Sequence, residues 1–206
     1  MGVLLIADSG STKAEWCLLD GNKKKRVITT GLSPYFVSGQ QMQQVFKEVL
    51  YPKISQQLPD EIFFYGTGCS NPQNLKTIKA ALKSVFTKSA ISVDHDLIGA
   101  SRALCGHKKG IACILGTGSN SCFYNGKKIV KNSPGLGYVL GDEGSGAYLG
   151  KKVVQYFLYN TFDPDLMDRF NAKYHLSASE ILDSVYKQPL PNRYLARFCM
   201  FLSENR

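Results

Sequence analysis

Two strand–turn–strand units of nearly the same design, 108 residues apart, most restrict what this chain can fold into. In the first, the apolar run 3–7 ends in Asp8-Ser9-Gly10-Ser11-Thr12, and a second run covers 15–20. In the other, the apolar run 111–115 ends in Gly116-Thr117-Gly118-Ser119-Asn120 and continues through 121–125. Each second run meets Asp20-Gly21 or Asn125-Gly126, dipeptides that favour tight hairpins because their residues tolerate positive φ. Successive backbone N–H groups in a small, hydroxyl-bearing turn can form an anion-binding concavity. Two copies imply a duplicated domain that grips one polyanionic ligand from both sides.

Hydrophobic periodicity fills in the rest. Strands are predicted over 3–8, 14–20 and 26–31, then a helix over 39–51 with Met42, Val45, Phe46, Val49 and Leu50 on one face. A strand at 61–65 follows. Asn71 and Pro72 supply N-cap and first-turn chemistry for a helix carrying Leu75, Ile78, Leu82, Val85 and Phe86 on one face. A short strand at 90–93 leads to a helix near 96–104. After a linker at 106–110 the pattern restarts, with strands at 111–116, 120–125 and 128–131. A helix over 145–160 comes next, with Leu149, Val153 and Phe157 as its buried stripe. From 151 to 206 only helical or loop segments are expected, among them 177–187 behind a Ser177/Glu180 capping box. The class is therefore α/β with mixed sheets, since a hairpin start excludes a purely parallel doubly wound sheet. Two lobes are expected, 1–106 and 107–206. The second reads as incomplete, because it has no counterparts of strands 61–65 and 90–93.

Composition narrows the function classes. The 206 residues fit one large domain or two small ones, and 44% hydrophobic content is ordinary for a globular core. No apolar run reaches 18 residues, so no membrane span is expected, and the N-terminus has no basic n-region of a signal peptide. Six cysteines, at 17, 69, 105, 113, 122 and 199, form no C-x-x-C pair. Cys17, Cys113 and Cys122 fall in predicted strands, where reduced thiols pack as small apolar groups. A cytoplasmic protein without disulfides is the expectation. The formal charge of +9 comes from lysines and Arg26 clustered at 23–26, 108–109, 127–128 and 151–152, mostly beside turns. Without interleaved aromatics or a binding motif, this charge attracts anionic ligands generally and does not argue for nucleic acid.

Three segments carry chemistry. Asp8-x-Gly10-Ser11-Thr12-Lys13 joins a carboxylate suited to water-mediated Mg²⁺ binding with a glycine turn, a hydroxyl donor and a positive charge. It is not a Walker A loop, because the spacing differs and a strand follows. Read without its second copy, it is equally a plain hairpin turn. Asp94-His95-Asp96 stands between a strand and a helix, where open α/β sheets place ligand-binding groups. An aspartate there either caps the helix or takes a proton from a substrate hydroxyl. His95 has no partner visible in the sequence and reads as structural. The stretch 135–146 holds five glycines in twelve residues, with Asp142 and Glu143 near the start of a helix, where the dipole favours carboxylates.

Taken together, the ordered set Asp8-x-Gly-Ser-Thr-Lys13, Asp96-Leu-Ile-Gly99, Gly116-Thr-Gly-Ser-Asn120 and Gly141-Asp-Glu-Gly-Ser145 resembles the acetate and sugar kinase/Hsp70/actin superfamily. Within it, the chain is most similar to the N-acetylglucosamine kinase branch of the BadF/BadG/BcrA/BcrD-type ATPase family, over residues 3–160. The resemblance implies two ribonuclease-H-like (actin-like ATPase) lobes with ATP and Mg²⁺ between them, and a γ-phosphoryl transfer to an amino-sugar hydroxyl. It places Asp8 at the metal, Gly10, Ser11, Thr12, Lys13, Thr117 and Gly118 at the phosphates, and Asp96 as general base. Tyr35, Asp96, Ser119, Asn120, Gly135 and Asp142 fall on sugar-contacting positions. The implied partner is a small-molecule sugar, with a homodimer as candidate assembly and neither nucleic acid nor membrane. Two residues depart from the family: Tyr35 stands where an asparagine contacts the sugar, and Leu136 where a tryptophan follows Gly135. The family's adenosine-binding glycine motif has no match in this chain. Two alternatives accompany the kinase reading. One is a degenerate or truncated sugar-binding fragment. The other is an ATPase activator of a radical reductase or dehydratase, for which Cys69 is the loose candidate iron–sulfur ligand.

Overall fold

A computed structural model describes residues 2–133 and 135–205. The chain divides into two compact units, 1–110 with 125–128, and 111–124 with 129–206. In the first unit, β1 (Leu4–Ser9), β2 (Lys13–Asp20) and β3 (Lys23–Thr30) form an antiparallel meander. β4 (Glu61–Gly66) and β5 (Ala90–His95) then add in parallel beside β1, giving the order β3-β2-β1-β4-β5. The sheet is mixed, as the hairpin start requires. Parallel register brings Ser9, Gly66 and His95 level at the carboxyl ends of three adjacent strands.

One face of this sheet supplies the core. Leu5, Ala7, Ile62, Phe64 and Ile91 alternate inward and are buried together with Ile78 and Leu82 of α3 (Pro72–Val85). Burying each large apolar side chain contributes about 1.5–3 kcal/mol, which drives the sheet and helices together. Trp16 is enclosed by Phe46 and Phe64, with ring centroids 5.7 and 5.8 Å away, and its indole N–H donates to Thr29 Oγ1 at 3.0 Å. α3 begins as the sequence predicts, with Asn71 accepting the Gln73 N–H and Pro72 in the first turn.

The helix predicted over 39–51 differs in an instructive way. It consists of α1 (Gly39–Val45), a π-helical turn (Phe46–Leu50) and α2 (Tyr51–Ile54), with Tyr51 N–H reaching back to Phe46 O. The buried positions are Met42, Phe46, Leu50 and Ile54, spaced by fours, while Val49 is exposed. In a regular α-helix, a spacing of four drifts by about 40° per step, or about 120° over these residues. The wider π turn takes up that drift and keeps all four on the core side. Pro52 also favours the widening, since it has no N–H to offer and its ring would crowd the carbonyl of Glu48.

In the second unit, β6 (Lys109–Leu115), β7 (Ser119–Asn125) and β8 (Ile129–Asn132) form a three-stranded sheet in that order, against five strands in the first. Thereafter only helices follow among the described residues: α5 (Gly137–Leu140), α6 (Gly146–Leu158), α7 (Pro164–Tyr174), α8 (Ala178–Tyr186), α9 (Pro191–Ala196) and α10 (Cys199–Glu204). The Ser177/Glu180 capping box is present at α8. α6 is buried through Ala147, Gly150, Val153 and Val154, a stripe shifted from the predicted Leu149, Val153 and Phe157. Packing against α9 explains the shift: a Cβ on Gly150 would lie 1.9 Å from Leu195 O. Phe170, fully buried, is the hub of an aromatic core with Phe157, Tyr174, Phe198 and Phe201. Among the described residues the six cysteines form no disulfide; Cys122 is buried as expected, but Cys113 is exposed. Among the described residues no helix is long and apolar enough to cross a membrane.

Candidate functional site

The carboxyl ends of β1, β4 and β5 converge on Asp96, the first residue of α4 (Asp96–Cys105). β5 extends two residues beyond its predicted end, so His95 becomes the N-cap of α4 and Asp96 lies inside the helix start. Both carboxylate oxygens are engaged. Thr67, in the turn after β4, donates its hydroxyl to Asp96 Oδ2 at 2.6 Å. Oδ1 accepts the Leu97 N–H at 2.8 Å and lies 2.8 Å from His95 Nδ1. His95 therefore has a partner that the sequence did not show. Its Nδ1 also lies 3.1 Å from the Leu97 N–H. Protonated, Nδ1 donates to Asp96; neutral, it can cap the helix instead.

Electrostatics favour the charged pair. The bond to Asp96 lifts the His95 imidazole above its ordinary value, against the opposing effect of burial, with the charges of Asp96 and Asp94 adding to the lift. Burial pushes the Asp96 carboxyl up, but hydrogen bonds from His95, Thr67 and Leu97 outweigh it and hold the group below the usual carboxylate value. Asp96 is thus an ionised acceptor at neutral pH.

α4 sits close to the sheet because of one glycine. A Cβ on Gly99 would fall 2.7 Å from Tyr65 Cγ, so only glycine lets the helix approach β4 here. From the same helix Arg102 reaches Tyr65 OH at 2.9 Å and Asp94 at 3.3 Å, fixing the rim of the strand ends.

Asp8 is the exposed end of β1, level with Glu15 and Tyr65 across the sheet. Partial burial raises its carboxyl, and the charges of Asp96 and Glu15 raise it further against the pull of Lys13. Such mutual repulsion is what a divalent cation relieves. Mg²⁺ keeps several waters and needs only one or two protein carboxylates beside substrate phosphates. That suits Asp8, a single carboxylate whose charge is opposed by those of Asp96 and Glu15. The Asp8–Thr12 turn is closed by Gly10 N–H to Lys13 O at 3.0 Å and is stitched to the next loop by Gly31 N–H to Thr12 O at 3.0 Å. Thr12 Oγ1 is shielded and has no protein partner, an unused donor in the turn. Lys13 is less free than its position in the motif implies, because its ammonium pairs with Glu15 at 2.5 Å. The 31–35 loop carries Tyr35, 63% exposed, with its ring against Gly68.

The second unit brings its own predicted residues together. Gly146 N–H donates to Gly116 O at 2.8 Å and Ala147 N–H to Thr117 O at 3.1 Å, so the Gly116–Asn120 turn and the start of α6 form one cradle. Ser145, not an acidic residue, is the N-cap of α6 and accepts the Tyr148 N–H. Asp142 adopts a left-handed conformation, φ 57°, and its Oδ1 accepts the Ser119 N–H at 3.3 Å. Ser119 Oγ donates to Glu143 O at 3.0 Å. Asn120 Oδ1 accepts the Ser121 N–H at 2.8 Å, which leaves its amide group pointing past Gly135, whose Cβ position would be 3.8 Å from Nδ2. Thr117, Gly118, Ser119, Asn120, Gly135 and Asp142 thus share one surface of this unit.

Sequence reasoning missed Thr67 and the His95 contact. The available signal was Gly66-Thr67-Gly68 directly after a strand, the same position in the sheet that singled out Asp96. Cys69, by contrast, is buried and its thiol is pushed up to about 12, chiefly by desolvation. It packs as an apolar group in the core of the first unit.

The sequence matches no protein-family model and no curated protein. Among solved structures, it is similar to a Porphyromonas gingivalis protein provisionally assigned as an N-acetylglucosamine kinase: 40% identity, 98% of this chain and 72% of that chain covered, TM-score 0.94. A Chromobacterium violaceum protein with the same provisional assignment is similar at 18% identity, over 99% of this chain and 74% of that one, with TM-score 0.71. MreB5 of Spiroplasma citri, solved bound to ADP, shares the fold at 9% identity over 90% of this chain and 62% of that one, with TM-score 0.56.

Proposed function

Because the chain belongs to the N-acetylglucosamine kinase-like family of actin-like ATPase fold, we propose that it transfers the γ-phosphoryl group of ATP to a hydroxyl of an amino sugar, of the N-acetylglucosamine or glucosamine type. The observation that carries this reading is Asp96: an ionised carboxylate, held by three donors, at the carboxyl end of a parallel strand. In this role Asp96 accepts the proton of the attacking hydroxyl while the new P–O bond forms and the bond to ADP breaks. Thr12, Gly10, Ser11 and Lys13 in the first lobe, and Thr117 and Gly118 in the second, hold the phosphates through backbone and hydroxyl donors. Asp8 holds Mg²⁺, which supplies charge neutralisation on the phosphate oxygens when bound. Tyr35, Ser119, Asn120, Gly135 and Asp142 orient the sugar, and the lobes correspond to 1–106 and 107–206. Most of the barrier is then lowered by positioning and charge, and the base adds its share.

A coupled ADP-release assay with ATP, Mg²⁺ and a panel of amino sugars and hexoses tests the reading. Turnover is expected with an amino sugar. Asp96→Asn is expected to lower kcat by about 10²–10⁴-fold while sugar binding persists by calorimetry. Near-full kcat in the variant would sink the assignment of Asp96 as base.

A further inference from the structure

We propose that Thr67 is a positioning residue for the reaction: its hydroxyl, set by a locked turn, holds Asp96 Oδ2 in the orientation in which the carboxylate meets the acceptor hydroxyl. The inference rests on the kinase reading above and assigns a role to a residue that lies 29 positions from Asp96 in sequence.

The turn is built to present that hydroxyl. Cys69 N–H closes back to Gly66 O at 3.2 Å, and Gly68, third of the four residues, has φ +84°. That is the positive φ a type II turn requires at this place, which glycine meets without strain. Thr67 N–H is bound to Ser9 O at 2.9 Å, tying the turn to the end of β1. Asn74, one turn into α3, donates to Gly68 O at 2.9 Å, and the Cys69 side chain is buried beneath. Backbone on both sides of Thr67 is therefore anchored, to β1 and to α3, so the side chain has little freedom to let Asp96 go. At 2.6 Å the O–H···O⁻ bond is of the short, charge-assisted kind, which is about twice as strong as a neutral one.

The other contacts to Asp96, from His95 and the Leu97 N–H, come from its two neighbours in sequence and both meet Oδ1, so Thr67 alone holds Oδ2. Two oxygens held from two different strand ends, β4 through Thr67 and β5 through His95, fix the plane of the carboxylate. A base whose orientation is set before substrate arrives avoids reorganisation in the transition state. The effect belongs in kcat rather than in nucleotide binding.

Thr67→Val, which keeps the shape and removes the donor, is expected to lower kcat at least about tenfold, with KM for ATP within twofold of wild type. Thr67→Ser, which keeps the hydroxyl, is expected to restore most of kcat. Loss of a donor to the charged form also moves the acid limb of the kcat profile to higher pH in Thr67→Val. The same displacement is expected in the Asp96 carboxyl titration followed by ¹³C NMR without any substrate. A Thr67→Val protein with wild-type kcat, or one whose Asp96 titration is unmoved, overturns the proposal. Equal loss in Thr67→Ser and Thr67→Val also overturns it, since that marks a packing role. If wild-type protein phosphorylates no sugar, the kinase reading fails, and the NMR titration alone then decides whether Thr67 holds the carboxylate.

Discussion

Asp96 and His95 are a coupled pair, and their effect on stability has a definite pH window. The imidazole has its pKa raised by its partner, so its contribution is full below the ordinary histidine value and fades as pH rises through the raised one. The carboxyl has its pKa lowered, so its contribution is present above the ordinary carboxylate value and fades only as pH falls through the lowered one. Wild type is therefore expected to exceed His95→Gln in stability most clearly near pH 6, with the gap closing toward pH 9. Urea unfolding at several pH values measures this; a gap that is constant with pH would mean the pair is not charged. Neither this pair nor the Thr67 contact was legible in the sequence in full. Asp96 was, because a carboxylate between a strand and a helix has a recognised place in open sheets. His95 was not, because periodicity ended β5 two residues early and left it in a loop. Thr67 was hidden by distance along the chain, since only the parallel register of β1, β4 and β5 brings the three ends level.

At the scale of elements, alternation of apolar and polar residues was enough for the five strands of the first sheet, because each hides one face. Helix starts were equally readable where a cap residue is local, as at Asn71 and Ser177. What could not be read was how closely elements approach. Gly150 moved the buried stripe of α6, and Gly99 sets the distance of α4 from β4. Gly99→Ala forces a methyl to 2.7 Å from the Tyr65 ring carbon. The change is expected to cost about 1–3 kcal/mol, the usual penalty of overpacking, and is read from the denaturation midpoint. It also pushes the start of α4 outward, so Asp96-dependent turnover should fall by more than stability alone explains. A variant as stable as wild type would show that α4 is free to shift.

For the molecule as a whole, the excess of basic over acidic residues sets the long-range field. With a formal net charge of +9, the folded chain repels itself and draws anions at long range. Screening acts over about 8 Å at physiological ionic strength. Raising NaCl from about 20 to about 300 mM, a range over which that screening tightens, is therefore expected to raise Tm while also raising KM for MgATP, two opposite effects with one cause. If KM is indifferent to salt, the basic clusters at 23–26, 127–128 and 151–152 play no part in capture. The division into two units was anticipated by the repeated strand–turn–strand pattern, and the smaller second sheet by the absence of further alternating runs. The helical part of the second unit was readable only as helix, because its aromatic core joins residues far apart in sequence: Phe157 of α6, Phe170 and Tyr174 of α7, Phe198 before α10 and Phe201 within it.

The π turn at Phe46–Leu50 has a consequence for how this family can drift in length. It is a stored extra residue: one position can be lost there and the helix will simply tighten. Met42 and Ile54, on opposite sides of the turn, would then be eleven residues apart, which in an α-helix leaves them within about 20° of each other and both on the core side. Relatives that have shed a residue in this stretch should therefore keep the same apolar side chains on both sides of it. A deletion made at the exposed Glu48 is expected to leave Met42, Phe46, Leu50 and Ile54 on the core side. The segment is one residue of slack in the helix, and it can be taken up without a coordinated edit elsewhere.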